Sequence, residues 1–196
     1  MSAPGISQFD VIIAGVGGQG AILASDIIGK AAVKDNLSVR AAETHGMAQR
    51  GGSVVNHIRL GCELGSMIPL KSADVLLALE PSEALRYLKY LSEDGVIIVN
   101  TDPILPVTVT SGLCTYPDVD DIVSILRGNR EVKAFNATEL AKEAGHPQSM
   151  NVVMVGAVSN YLPMSVDTML ECVRELVPPK TIDINVRAFE VGRSQV

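Results

Sequence analysis

Cysteine is scarce in this sequence, and its spacing argues against both a disulfide framework and a metal cluster. Three cysteines occur among 196 residues, and each lies more than 50 residues from the next: Cys62, Cys114 and Cys172. Disulfide-rich folds, zinc sites and iron–sulfur clusters use more closely spaced cysteines. We therefore predict three free thiols, buried or partly buried, and no metal or cofactor bound by this chain alone.

Aromatic residues are also few, and basic runs and long apolar runs are absent. Phe, Trp and Tyr make up 4% of a chain that is 47% hydrophobic, so the core must be aliphatic. The net charge of −6 without a basic run argues against nucleic acid as a partner. The apolar runs are too short to span a membrane, and the N-terminus lacks a signal region, so we predict a cytoplasmic protein. The surplus of aliphatic residues suggests a subunit interface.

Buried strands alternate with amphipathic helices along the chain. Residues 9–14 form an aliphatic run, a helical pattern begins at Ala21, and residues 37–43 resemble a second strand. This is a βαβ unit, and similar alternation continues through the rest of the chain. We predict one domain, residues 1–196, with an α/β fold: a doubly wound, mainly parallel, Rossmann-like sheet with helices on both faces.

Two further expectations concern the middle of the chain. Residues 53–61 alternate polar and apolar side chains, which predicts a half-exposed strand at an edge or in a β-hairpin excursion near residues 53–70. Residues 81–95 begin with proline and end with glycine, which predicts one amphipathic helix.

A glycine-rich turn follows the first predicted strand. It has the G-x-G-x-x-G spacing of dinucleotide-binding turns and contains Gly15, Gly17, Gly18, Gln19 and Gly20. Glycines permit a tight turn and the close approach of a ligand, and the following helix N-terminus attracts an anion. A second interpretation is structural: the glycines make a close-packed turn, and the Gln19 amide bonds across it.

A second polar loop follows the second predicted strand. Its candidate binding residues are Glu43, His45, Gln49, Arg50, Gly51 and Gly52. In a dinucleotide fold Glu43 would hold a ribose hydroxyl, Arg50 could bind an anion, and His45 could titrate near neutral pH. Carboxyl ends of neighbouring strands share one crevice, so we expect this loop beside the glycine turn. His45 and Arg50 are the only catalytic candidates, and both could instead be structural.

No self-sufficient catalytic set accompanies these loops. The sequence lacks a Gly-x-Ser-x-Gly elbow and a Cys–His signature, and no lysine follows the glycine turn as phosphoryl transfer requires. A self-sufficient enzyme is therefore hard to build from these residues.

The two motifs together resemble one family. "GVGGQGAILASDIIGKAA" followed by "ETHGMAQRGGSVVNHIRLG" is similar to the gamma-type subunits of 2-oxoacid:ferredoxin oxidoreductases, and within them to the indolepyruvate type. The resemblance is strongest in residues 9–61. It implies oxidative decarboxylation of a 2-oxoacid to an acyl-CoA, with electrons passed to ferredoxin.

The resemblance also implies a division of labour. Thiamine diphosphate and iron–sulfur clusters reside on an alpha-type partner subunit, so this chain should be inactive alone. The two loops would cap the partner's active site and help to seat the oxoacid carboxylate or CoA. Two alternatives remain open: a stand-alone oxidoreductase that binds NAD(P) or flavin, and a purely structural assembly subunit. The isolated chain could form a homodimer.

Overall fold

Strands and helices alternate from β1 to α8 in a computed structural model that describes residues 8–45, 51–128 and 130–196. The strands in the described residues are β1 (Phe9–Val16), β2 (Val39–His45), β3 (Ser53–Leu60), β4 (Ala73–Ala78), β5 (Leu91–Asn100) and β6 (Glu131–Phe135). The helices there are α1 (Ala21–Lys34), α2 (Pro81–Tyr87), α3 (Val107–Thr110), α4 (Val119–Arg127), α5 (Ala137–Ala144), α6 (Met150–Val158), α7 (Val166–Leu176) and α8 (Ile182–Arg193). Short 3₁₀ turns lie at Leu88–Tyr90, Pro147–Ser149 and Pro179–Thr181.

The strands form one sheet in the order β2-β3-β1-β4-β5-β6. The pairs β1–β4, β4–β5 and β5–β6 are parallel, whereas β3 is antiparallel to both β1 and β2. Because β3 is antiparallel to both of its neighbours, β1 and β2 run in the same direction. The predicted α/β fold with a mainly parallel sheet is confirmed.

Helices cover both faces of the sheet, as predicted. Val11 and Ile13 of β1 pack with α1 and α5 to α8, while Ile12 and Ala14 pack on the other face with α2 and α4. This alternation follows from the two-residue period of a strand. α6 is buried along its whole length, and it lies against α8.

The position of β3 corrects the expectation of a half-exposed edge strand. β3 lies between β2 and β1, and residues Val54 to Leu60 are all buried. The hairpin is formed by β2 and β3 inside the sheet, rather than as an excursion near residues 53–70. The polar residues of β3 are buried because each has a partner: Asn56 donates to Ala21 O, His57 accepts from Ile68 N–H, and Arg59 pairs with Asp10.

The helix predicted over residues 81–95 is shorter in the structure. α2 ends at Tyr87, one 3₁₀ turn follows, and β5 begins at Leu91. Leu91 pairs with Ala73 of β4, and a Cβ on Gly95 would lie 2.9 Å from Ala73 O. The long-range pairing with β4 therefore overrides the local helical pattern.

A buried charge cluster lies at the amino edge of the sheet. Arg59 Nε donates to Asp10 Oδ1 at 3.0 Å, and both side chains are at most 5% exposed. Arg59 also donates to Gly65 O at 2.8 Å, which fixes the loop after β3. Asp74 Oδ2 accepts the main-chain N–H of Asp10 at 2.7 Å. The Asp10 carboxylate is thus paired with Arg59, whereas the Asp74 carboxylate accepts from the main chain of Asp10.

Asp74→Asn is expected to raise stability at pH 7. Burial, together with the Asp10 charge, raises the pKa of Asp74 above its usual value. A raised carboxyl pKa gives stability that is present at low pH and is lost as pH rises through the folded-state pKa, so ionised Asp74 destabilises the fold at neutral pH. The asparagine oxygen can still accept from Asp10 N–H. Urea unfolding at pH 4 and pH 7 should show a gain for the variant only at pH 7; a loss at pH 7 would contradict this account.

Candidate functional site

The glycine turn forms the carboxyl end of β1 and the start of α1. Gly18 and Gly20 have φ values of 103° and 77°, which side chains rarely adopt. A Cβ on Gly15 would lie 3.1 Å from Leu79 Cβ, and one on Gly20 would lie 2.4 Å from Asn151 Nδ2. Gly18 has no neighbour within 4 Å of its Cβ position. Gly15 and Gly20 therefore serve packing, and Gly18 faces open space.

Gln19 holds the turn from within. Its Oε1 accepts from Val16 N–H at 2.9 Å, and its Nε2 donates to Leu79 O at 2.8 Å. The side chain is only 8% exposed. Asn100 Nδ2 donates to the same Leu79 oxygen at 3.1 Å, so two amides tie the ends of β1, β4 and β5 together. The Gln19 amide therefore bonds across the turn, as a structural role for this residue requires.

The two loops meet, as the shared crevice predicts. Gly17 N–H donates to Gly52 O at 2.8 Å, and Gly51 N–H donates to Gly17 O at 3.1 Å. Both main-chain groups of Gly17 are therefore paired with the second loop. A dinucleotide fold leaves the backbone of this glycine open to the ligand, and here residues 51 and 52 cover it.

The end of the second loop is also anchored to α2. Ser53 Oγ donates to Glu83 Oε2 at 2.5 Å and lies 3.0 Å from the hydroxyl of Tyr87. Glu83 is 3% exposed, and burial raises its pKa above the usual value. Arg86 Nε donates to its other oxygen at 3.0 Å. The base of the second loop is thus fixed on both sides, by the glycine turn and by α2.

Glu43 lies farther from the glycine turn than the fingerprint requires. β3 separates β2 from β1, which places Glu43 two strand spacings from β1, about 9–10 Å. Its Oε1 is 3.5 Å from Asn56 Nδ2, across the β2–β3 pair. A ligand on the β1 turn is therefore too far away for Glu43 to hold its ribose in the usual way. Gln49 and Arg50, and the side chain of His45, lie outside the described residues.

A cavity of about 530 Å³ opens beside the glycine turn. Gly18 and Gly20 line it, and four remote segments complete it: residues 102–104, Thr138, residues 146–151 and residues 177–185. Asn151, at the start of α6, donates to Gly20 O at 3.1 Å and joins this cavity to the turn. Sequence reasoning missed these residues because the fold alone brings the segments together. The volume of the cavity is within the range of small-molecule sites.

The described residues do not fit a metal centre on this chain. No group of three or more His, Cys, Asp or Glu that could hold a metal ion occurs in the part of the chain that the structure describes. Cys62 and Cys172 are buried as expected, whereas Cys114 is exposed, which corrects the prediction for that thiol. Burial raises the pKa of Cys172. Across residues 8–45, 51–128 and 130–196, no helix has the length and apolar character to cross a membrane.

Curated relatives resemble the chain over nearly its whole length. It is 45% identical over 192 residues to a Thermococcus kodakarensis protein called indolepyruvate oxidoreductase subunit IorB, and the match covers 95% of each chain. It is 31% identical over 192 residues to the 2-oxoglutarate synthase subunit KorC of Methanothermobacter thermautotrophicus, covering 95% of this chain and 94% of that one.

Solved structures share the fold. The gamma subunit of a keto/oxoacid ferredoxin oxidoreductase from Geobacter sulfurreducens matches with a TM-score of 0.71 and 25% identity, covering 95% of this chain and 97% of that one. A 2-oxoglutarate:ferredoxin oxidoreductase from Magnetococcus marinus has the same fold, with a TM-score of 0.72 at 20% identity. That match covers 96% of this chain and 31% of that one.

A family model ties these relatives to the chain directly. The model described as pyruvate ferredoxin/flavodoxin oxidoreductase matches residues 10–195, a range that includes the glycine turn, the second loop and the cavity. The chain therefore belongs to the pyruvate ferredoxin/flavodoxin oxidoreductase family.

Proposed function

We propose that this chain is the subunit without thiamine or clusters in a 2-oxoacid:ferredoxin oxidoreductase, with indolepyruvate or another aryl pyruvate as substrate. The partner is an alpha-type subunit, on which thiamine diphosphate and iron–sulfur clusters supply oxidative decarboxylation to an acyl-CoA and electron transfer to ferredoxin. The complex works in the cytoplasm, and the isolated chain is inactive. The relatives named as indolepyruvate oxidoreductase subunits support the choice of substrate.

The observation that carries the proposal is the joining of the two loops by Gly17, Gly51 and Gly52. The paired glycines and the Ser53–Glu83 bond hold the carboxyl-terminal end of the second loop, Gly51 to Ser53, at the carboxyl edge of the sheet. Active sites of α/β folds form at this edge. A loop held there beside an α1 N-terminus that has no side-chain cap suits the seating of an anionic substrate group.

The proposal assigns roles to residues of both loops. Arg50 supplies positive charge to the oxoacid carboxylate or to CoA, and His45 and Gln49 lie on the same loop. Gly18 leaves room for a ligand group to approach the turn, since its Cβ position is open. Gln19 acts through the turn, because its amide is already bonded to Val16 and Leu79.

Arg50→Ala in the assembled enzyme is expected to raise KM for the oxoacid or for CoA about 10- to 100-fold, the range of a lost charge-assisted bond. Arg50→Lys should recover part of the effect. Arg40→Ala, an exposed arginine on β2, is the matched control and should leave KM unchanged. Steady-state kinetics with each substrate varied in turn measures the effect. Equal KM values for Arg50→Ala and the unchanged enzyme would overturn the role of Arg50.

The alternative of a stand-alone NAD(P) or flavin enzyme is disfavoured by one contact and by the strand order. Residues 51 and 52 cover Gly17, and Glu43 lies two strands from β1. Equilibrium titration of the isolated chain with NAD(P)H, FMN and CoA tests this alternative. We expect no tight binding of NAD(P)H or FMN; saturable binding of either at micromolar concentration would favour it.

A further inference from the structure

The segment between β5 and α4 presents apolar side chains to solvent. The exposed fractions are 40% for Ile104, 48% for Leu105, 80% for Val107 and 80% for Leu113. Residues 103–117, which we call the neutral excursion, contain no Asp, Glu, Lys, Arg or His. The whole chain is 19% charged with a net charge of −6, so an exposed stretch of this length without charge departs from the rest of the surface.

The neutral excursion is fixed at both ends, to the sheet at its start and to the beginning of α2 at its end. At its start, Thr101 N–H donates to Phe135 O at 3.0 Å, and Asp102 N–H donates to Asn100 Oδ1 at 3.3 Å. At its end, the Tyr116 hydroxyl donates to the buried carboxylate of Glu80 and accepts from Ser82 N–H at 3.1 Å. Partial burial of Tyr116, together with the hydrogen bond to Glu80 and its charge, raises the pKa of the Tyr116 hydroxyl. The hydroxyl therefore stays protonated and acts as the donor.

Internal bonds give the neutral excursion a defined shape. Thr108 O accepts from Leu113 N–H at 2.9 Å and from Cys114 N–H at 3.2 Å, which folds the segment back after α3. Pro103, Pro106 and Pro117 further restrict its backbone. An apolar surface that is already ordered loses little conformational entropy on binding, which is the property of a preorganised interface.

Its location identifies the occupant. The neutral excursion leaves the carboxyl end of β5, and Ile104 lines the same cavity as Gly18 and Gly20. The proposed function requires the partner subunit to cover this edge. The absence of charge on the excursion indicates what kind of surface covers it. A charged partner surface would lose its hydration here without gaining an opposite charge. The cores of protein interfaces are depleted in charged residues in the same way.

We propose that the neutral excursion is the docking surface for the catalytic partner subunit, which meets it with an uncharged, apolar surface. Val107 and Leu113 are its most exposed apolar side chains and enter the partner's surface. This inference rests on the proposed function, since the partner is the subunit that carries thiamine and the clusters. The exposed side chains of Leu64, Met67 and Leu70 lie between β3 and β4, at the amino edge of the sheet, and have no part in it.

Val107→Asp and Leu113→Asp test the docking surface. The partner subunit, purified separately, is titrated against each variant of the full chain, and the dissociation constant is measured. We expect each substitution to weaken binding about 100-fold or more, as a charge placed in the core of an interface does. Val33→Asp, on an α1 residue that is 62% exposed, is the matched control and should bind as the unchanged chain does.

The outcomes distinguish failure of the docking surface alone from failure of the proposed function. Activity of the complex is followed as oxoacid- and CoA-dependent reduction of a viologen dye. If the unchanged chain binds the partner and gives dye reduction, and both variants bind equally well, the docking surface is wrong and the proposed function stands. If the isolated chain is a dimer that Val107→Asp dissociates, with no effect on partner binding, a second copy covers the excursion and the inference is overturned. If the unchanged chain does not bind the partner, both proposals fail.

Discussion

Gly192→Ala is expected to destabilise the protein by about 3 kcal/mol or more, because the added methyl group meets main-chain atoms. A Cβ on Gly192 of α8 would lie 1.8 Å from Val153 O of α6. A Cβ on Gly156 of α6 would lie 2.0 Å from Phe189 O of α8, so each helix presses a glycine against the other's backbone. A carbonyl oxygen cannot move by changing a rotamer, so the two helices would have to separate.

Separating the two helices would disturb the core that α6 and α8 form with one face of the sheet. All nine residues of α6 are buried, and Phe189 is 0% exposed. Moving α8 outwards would open space around them, and lost packing adds to the cost of the overlap. The loss is large against the 5–15 kcal/mol of stability that is typical of a domain.

Gly29→Ala is the matched control, since Gly29 is also a helix glycine. Its Cβ would lie 3.8 Å from Val39 Cγ1, an ordinary contact. Alanine is favoured over glycine in a helix by about 0.8–1 kcal/mol, so this variant should be slightly more stable. Urea unfolding followed by circular dichroism measures both. Equal stability of Gly192→Ala and the unchanged protein would show that α6 and α8 do not cross as closely as described.

Arg59→Met is the second substitution with a large expected effect, a loss of about 3–5 kcal/mol. It removes the guanidinium from Asp10, which is 1% exposed and has Asp74 beside it. It also removes the donor that Gly65 O and Met67 O share. A buried carboxylate without its partner cannot recover its hydration, and this causes most of the loss.

The double variant Asp10→Leu with Arg59→Met separates the ion pair from its packing. Replacing both partners with apolar side chains removes the unpaired charge, so much of the loss should be recovered. Lys34→Met is the control for an exposed pair, because Lys34 bonds to Glu171 and Glu175 at the surface. It should cost less than about 1 kcal/mol. If Arg59→Met costs no more than Lys34→Met, the buried Arg59–Asp10 pair does not stabilise the fold.

The parts of the fold that the sequence predicts are those with local signals. β1, the glycine turn and α1 follow from an aliphatic run, glycine spacing and helical periodicity, and the meeting of the two loops follows from strand direction. The internal position of β3 had no such signal. His57 and Arg59 alternate with apolar residues as on an exposed strand, and only their distant partners, Ile68 and Asp10, make them residues of a buried strand.

Some features of the candidate site could likewise be predicted from the sequence, and others could not. Gly17, Gly51 and Gly52 could be predicted as neighbours because both loops follow strands that point the same way. The role of Glu43 could not, since it depends on which strand lies beside β1. The cavity walls around Asp102, His146 and Asn185 come from segments far apart in the chain, and no periodicity relates them.

The proposed function predicts that this chain works only with a catalytic partner. The most direct measurement is oxoacid- and CoA-dependent reduction of a viologen dye by the partner subunit, purified and assayed with and without this chain. We expect dye reduction with both subunits present, fastest with an aryl pyruvate, and neither subunit should be active alone. A partner that reduces the dye equally well without this chain, or a chain that purifies alone with a bound nucleotide, would contradict the account.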